Sequence, residues 1–219
     1  MIEQPKKEKR SGRPSKNRTE ETSKKIIRTA ASLFATQGYA ATSIEQVASA
    51  CSAGKDTIYR RYSSKLELFQ AVVEDMRCRI VDRLTLEIET ISNEGNKLEH
   101  LKHIARWFLT VNLDPEMIAF KRIALSESKF FDVSKSAQQH SDPIMDRLIL
   151  LVKETQKSNF LRQGDPEKLA MHLLHSIVFG PSNDAMLGKT TYSSVEAQNN
   201  YFEQAWMFFL FGANTEKQS

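Results

Sequence analysis

From Thr19 onward the apolar residues of this 219-residue chain recur at threes and fours, and no stretch shows clean alternation flanked by hairpin turns. Spacings of three and four stack side chains on one face of a helix, whereas a half-buried strand needs period two. The chain is therefore expected to be all-α, with no internal repeat. In TEETSKKIIRTAASLFATQGY the residues Ile26, Ile27, Ala30, Leu33 and Phe34 form one stripe, and Gly38 suits a left-handed C-cap. ATSIEQVASA offers two capping boxes, Thr42 with Glu45 and Ser43 with Gln46, so a helix should begin at residue 43 or 44. It runs about two turns to the small-residue break CSAG. A longer helix starts near Lys65, with Leu66, Phe69, Val73, Met76, Ile80, Leu84 and Ile88 as its stripe.

Beyond the turn SNEGNK, helices are read over LEHLKHIARWFLTVN, then over PEMIAFKRIAL, which Pro115 can open, and over DPIMDRLILLVKETQK, with Asp142 as N-cap. DPEKLAMHLLHSIVFG reads as a further helix closed by Gly180 and Pro181, and the last lies near 195–212. Residues 126–140 are polar around Phe130 and Phe131, a loop or a short helix.

Charge divides the chain. Its net of +4 is a sum of unlike parts: residues 1–78 hold 15 Lys/Arg against 9 Asp/Glu, a net of +6, and the remainder 16 against 18. Such a distribution points a polyanion at the front only, the alternative being a solvated surface with chance asymmetry. Residues 1–18 carry seven basic residues and two acids, a composition that cannot bury a core and reads as a flexible arm. Arms of this kind can place Arg in the minor groove of DNA, with Arg13 in GRP the best candidate, or serve only as a solubilising tail.

Two cysteines, Cys51 and Cys78, exclude a disulfide framework and a cysteine-rich metal site. There is no stretch of signal-peptide kind, and AWMFFLFGA is less than half of the about 20 residues that cross a bilayer. A cytoplasmic location is expected. His100 with His103, and His172 with His175, have a spacing that can bind metal, but no carboxylate or cysteine cluster supports one, and neither metal nor cofactor is expected.

The segment GKDTIYRRYSSK, residues 54–65, explains the basic front. Two short helices joined by a small-residue turn are the helix-turn-helix arrangement that reads DNA. Val47, Ala48 and Cys51 are small enough for close crossing, and Ile58 can pack inward while Lys55, Thr57 and Arg60 point out. Cys51 is a small buried thiol or, less simply, an oxidisable one in the turn.

Residues 19–70 resemble the DNA-binding domain of the TetR family of bacterial transcription regulators. The resemblance lies in LFATQGYAATSIEQVASA, TIYRRY and SSKLELF, with Gly38, Tyr39, Thr42, Ile44, Ala48, Ile58, Tyr59, Tyr62, Lys65 and Leu68 at the family's places. Two departures stand out. The turn reads Ser52, Ala53, Gly54 where the family commonly has Gly, a β-branched residue and Ser, so a strained residue or a local change is expected there. Asp56 occupies a place where the family often has a small residue, and an acid there repels phosphate or accepts from a cytosine amine.

The resemblance implies a homodimer whose heads enter successive major grooves about 34–36 Å apart. Lys55, Thr57 and Arg60 would face the groove, while Thr42, Tyr59 and Lys65 would hold phosphates; Arg61 is a phosphate contact or a solvated side chain. It further implies three segments: the arm 1–18, a helix-turn-helix domain 19–64, and an effector-binding and dimerisation domain 65–219. Helices at 166–179 and 195–211 would pair with their mates in a four-helix interface, consistent with Leu169, Leu173, Ile177, Trp206, Phe209 and Leu210, although a monomer core would look the same. For the wall of an effector pocket the aromatic and methionine pattern offers Trp107, Phe108, Phe120, Met145, Ile149 and His175, the plain alternative being ordinary core. Few acids stand among them, which favours an apolar or amphipathic small molecule.

The expected function is thus a DNA-binding regulator, a repressor released by a small effector, and not an enzyme. The alternatives are an α-helical enzyme or carrier for a small molecule and a non-specific DNA-binding protein. GxSxG, HExxH, a Gly-rich phosphate loop and zinc-spaced cysteines are all missing from the sequence.

Overall fold

The structure, a computed structural model, describes residues 16–91, 96–127 and 142–213. Among these residues every regular element is a helix, as the period-three-and-four pattern requires. The helices are α1 (Lys16–Gln37), α2 (Ile44–Ala50), α3 (Lys55–Tyr59), α4 (Lys65–Thr90), α5 (Lys97–Asn112), α6 (Pro115–Ser126), α7 (Pro143–Lys157), α8 (Pro166–Leu174), α9 (Gly180–Met186) and α10 (Val195–Ala213). A π-helical turn, His175–Phe179, joins α8 to α9.

Two hydrophobic cores form. The first gathers Ile26, Ala30 and Phe34 of α1, Ile44 and Val47 of α2, Ile58 of α3, and Leu68, Phe69 and Val72 of α4. α1 ends at Gly38, whose φ of +84° is costly for any side chain and whose N–H donates to the Phe34 carbonyl at 3.0 Å. Ser43 is the N-cap of α2: the Gln46 N–H donates to its hydroxyl at 3.2 Å, and its own N–H donates to Gln46 Oε1 at 2.7 Å. Of the two capping boxes open in the sequence, the second forms. Thr42 is buried instead, its hydroxyl donating to the Gly38 carbonyl at 2.8 Å.

The second core is built around α5, whose Leu101, Ile104, Ala105, Trp107, Phe108 and Leu109 are all buried. Leu148 and Val152 of α7, Leu169 and Leu173 of α8, and Phe202, Trp206 and Phe209 of α10 close around it. Three helices start by one device, an Asp-Pro pair. The carboxylates of Asp114, Asp142 and Asp165 accept from free N–H groups of the first turn, and the following proline stands where no donor is needed.

The cores share α4 and α6. Leu68, Phe69 and Val72 of α4 lie in the first and Leu84 in the second; Phe120 and Ile123 of α6 lie in the first while Met117 packs on the second.

One expectation is corrected. The helix from Pro166 does not close at Gly180–Pro181 but continues through the π turn into α9. Proline lacks an N–H and clashes with the carbonyl four residues back; a widened turn relieves the clash, and the missing donor leaves one carbonyl to be satisfied from elsewhere. The carbonyl of Ser176, whose partner five residues on would be Pro181, accepts from the Tyr201 hydroxyl at 2.7 Å. Of the two readings open for Leu169, Leu173, Ile177, Trp206 and Phe209, dimer face or core, these side chains are buried within the chain's own core. The outward face of α10 carries Met207, Phe208 and Phe211, at 50%, 76% and 75% exposure. The second half of this helix is apolar on both sides, which is why spacing could not tell core from surface.

Candidate nucleic-acid interface

The head is built on two short helices and a four-residue turn. Val47, Ala48 and Cys51 are buried at the crossing, and Ile58 is fully buried as the single apolar anchor of α3. Within the turn, Ser52 takes φ +53°, and the Ala53 N–H donates to the Ala48 carbonyl at 3.0 Å. Gly54 has an ordinary φ of −65°. The strain expected from the departure in sequence is therefore real and sits on Ser52, two residues before the glycine.

α3 is five residues long, but backbone bonds carry the turn onward: the Arg60 N–H donates to Asp56 and the Tyr62 N–H to Ile58. With Ile58 turned inward, Lys55, Asp56, Tyr59 and Arg60 are exposed and Thr57 is half-shielded. Of the three residues expected to face a groove, Lys55 and Arg60 are thus exposed and Thr57 partly so. Arg13 lies outside the described residues.

Lys55 is not free. Its ammonium is ion-paired with Glu45 of α2 and stands 5.6 Å from the centre of the Tyr59 ring. The pairing hydrogen bond lowers the Glu45 carboxyl below the usual carboxylate range and raises the Lys55 ammonium above its own. In the sequence Glu45 stands out only as a capping-box residue with Thr42, not as part of the site. The signal was present, since it falls between buried Ile44 and Val47 on a helix that must turn its other side outward.

Lys65 has a different environment from the open phosphate site implied by the resemblance. Its Nζ donates to the carbonyls of Tyr39 at 2.9 Å, Thr42 at 3.0 Å and Ala40 at 3.4 Å, and lies 4.4 Å from the centre of the Tyr39 ring. With the Thr42 hydroxyl, it fastens the loop between α1 and α2 to the start of α4. Arg61 braces the other end, its Nη2 donating to the Thr19 carbonyl at 3.1 Å.

The six residues proposed for a pocket wall do not form one surface. Trp107 and Phe108, with ring centres 5.2 Å apart, are buried in the second core, and Met145 and Ile149 pack against it. Phe120 belongs to the first core, 5.8 Å from Phe69, and His175 is exposed with its ring 4.8 Å from Phe179. A cleft of about 100 Å³ opens elsewhere, between α4 and the α5–α6 joint, with Met76, Ile80, Val111 and Met117 as apolar walls and Arg79 and Arg83 at its side. That volume holds about three waters, well short of the roughly 300 Å³ of a small-molecule pocket. Among the described residues no group of three or more His, Cys, Asp or Glu could hold a metal, and no helix is long and apolar enough to cross a membrane.

Residues 26–72, the first core and the head together, match the family model for bacterial regulatory proteins of the tetR family. No curated protein matches the sequence. Among solved structures, a TetR-family transcriptional regulator of Mesorhizobium loti superposes with TM-score 0.77 at 22% identity, over 90% of this chain and 99% of that one. A transcriptional regulator of Saccharomonospora viridis, solved with choline, gives TM-score 0.69 at 18% identity over 90% and 100%. The flavonoid-responsive regulator FrrA gives 0.61 at 25% identity over 91% and 100%. These likenesses establish the fold along the chain, and the matched segment carries the family's DNA-binding unit. Residues 26–72 thus match the tetR family of bacterial regulatory proteins, and the chain as a whole has the fold of these solved regulators.

Proposed function

We propose that the protein is a homodimeric, sequence-specific repressor released by a small apolar or amphipathic molecule. The observation that carries the DNA-reading half is the outward face of α3, where Lys55, Thr57, Tyr59 and Arg60 stand around a fully buried Ile58. Lys55, Thr57 and Arg60 would address base edges, Tyr59 a phosphate, and Arg13 the minor groove. Thr42 and Lys65 would act at one remove, by holding the α1–α2 loop at the height where its backbone meets a phosphate.

Dimerisation is supported by the outward face of α10. Phe208 and Phe211 with Met207, and the half-exposed Phe179 of the π turn, leave large apolar side chains in water, which a second copy would cover. Release is supported by α4 and α6, which belong to both cores, so a ligand that repacks the second core shifts the head. To switch cleanly the ligand must bind the released form about 5 kcal/mol more tightly. Its class is supported by the apolar second core and by the small organic ligands named for structural neighbours, choline and a flavonoid response.

The test is binding of purified protein to DNA from upstream of its own gene, beside a scrambled duplex, across salt. A preference of at least roughly a thousandfold is expected. Equal binding that salt abolishes on both duplexes would leave a non-specific binder.

A further inference from the structure

The ion pair between Glu45 and Lys55 links α2 to the first residue of α3, and both side chains are about half exposed. An exposed pair of this kind adds little to stability, so its position is more informative than its strength. Lys55 is the first residue of α3 and Glu45 the second of α2, so the pair joins the N-terminal turns of the two helices of the head. The groups around the ammonium are the Glu45 carboxylate from α2, the neighbouring Asp56 carboxylate from α3, and the face of the Tyr59 ring. The other head cations with long-range partners are held by carbonyls, Lys65 by those of Tyr39 and Thr42 and Arg61 by that of Thr19.

A lysine at the tip of a reading helix attracts any phosphate, whatever the sequence. Counterion release rewards each such contact and makes affinity fall steeply with salt. A carboxylate already bonded to that lysine cancels the reward, because a phosphate must displace it and then tolerates a bare acid beside it. A base edge that accepts from Lys55 in a fixed register can recover that loss; a phosphate met at random cannot. Sequence preference is a difference of affinities, and weakening the unwanted complex raises it.

We propose that Glu45 is a specificity-determining residue of the head, an internal counter-anion that withholds Lys55 from non-specific phosphates. The proposal rests on the DNA-reading function above. It predicts that Glu45→Gln binds a random-sequence duplex more tightly, by up to roughly fivefold per head, the range of an exposed ion pair. It predicts too that log Kobs against log salt steepens by about 0.9 for each lysine released. Discrimination between the upstream duplex and the random one falls accordingly.

The experiment is fluorescence anisotropy of a labelled random-sequence duplex with wild type, Glu45→Gln, Lys55→Met and the double variant, over a series of salt concentrations. Thermal midpoints are taken in parallel. Support is a steeper slope for Glu45→Gln that disappears in the double variant. An unchanged slope overturns the proposal, as does a loss of affinity that follows a lowered midpoint, for then Glu45 is only a staple between helices. Should wild type bind neither duplex at any salt, the DNA-reading function itself falls, and the proposal with it.

Discussion

Lys121 shows how a single side chain carries a testable cost. On α6 it lies between Asn112, whose Oδ1 accepts at 2.6 Å, and Ser182, whose Oγ accepts at 2.7 Å. Neither partner is charged, and burial lowers the ammonium from 10.5 to about 8. Between those values the unfolded chain holds a proton that the folded chain has released, so stability rises with pH across that window. Below about pH 8 both forms are charged and the cost is present in full. Urea midpoints of wild type and Lys121→Met, taken from pH 7 to 10, should shift in favour of wild type as pH rises, and a flat difference would show that the amine is not desolvated. Ser52 offers a second case. Its φ of +53° is one that glycine adopts freely, so Ser52→Gly should raise stability by about 0.5 kcal/mol after the extra entropy of glycine is counted, read as a higher denaturant midpoint. Local rules made Gly38, the Ser43 cap and the Ile58 anchor legible in sequence, because each depends on residues within one turn. The inward turn of Lys65 was not legible, since its carbonyl partners lie 23 to 26 residues earlier.

At the scale of elements, the same division holds. Proline at the start of α6 and aspartate at the start of α7 were readable because a cap is a local bargain between donors and an acceptor. Gly180–Pro181 read as a stop by the same local logic, and the chain goes on because a residue far along it intervenes. Tyr201 of α10 supplies the hydroxyl that the Ser176 carbonyl needs, across a gap of 25 residues. The π turn is therefore an element maintained by tertiary contact rather than by propensity. Tyr201→Phe keeps the ring against Tyr192 and removes only the donor. Stranding a half-buried carbonyl in this way should cost about 1–3 kcal/mol. A thermal midpoint within error of wild type would mean that the turn holds without the bond, and that water replaces the hydroxyl.

For the whole molecule the unresolved balance is between the face the chain keeps and the face it offers. Sequence leaves Trp206 and Phe209 open between dimer face and core because the second half of α10 is apolar all round, and periodicity has no contrast to report on such a stretch. What the fold adds is the assignment: Phe202, Ala205, Trp206 and Phe209 inward, Met207, Phe208 and Phe211 outward. A charge placed on the outward side leaves the core packing of the protomer alone and would make a paired surface repel itself. Phe208→Glu with Phe211→Glu should therefore sediment as a folded monomer with an unchanged helical spectrum. The reading heads would then bind one at a time. Losing the linkage between two sites removes the gain of the second, which is effectively intramolecular binding, and operator affinity should fall by at least about a hundredfold. Binding to a random duplex under the same conditions should fall less, because a single head still meets phosphate. If the double variant stays dimeric, the partner surface lies elsewhere. If it becomes monomeric and keeps its operator affinity, the heads do not read as a pair, and the spacing of successive major grooves has no part in recognition.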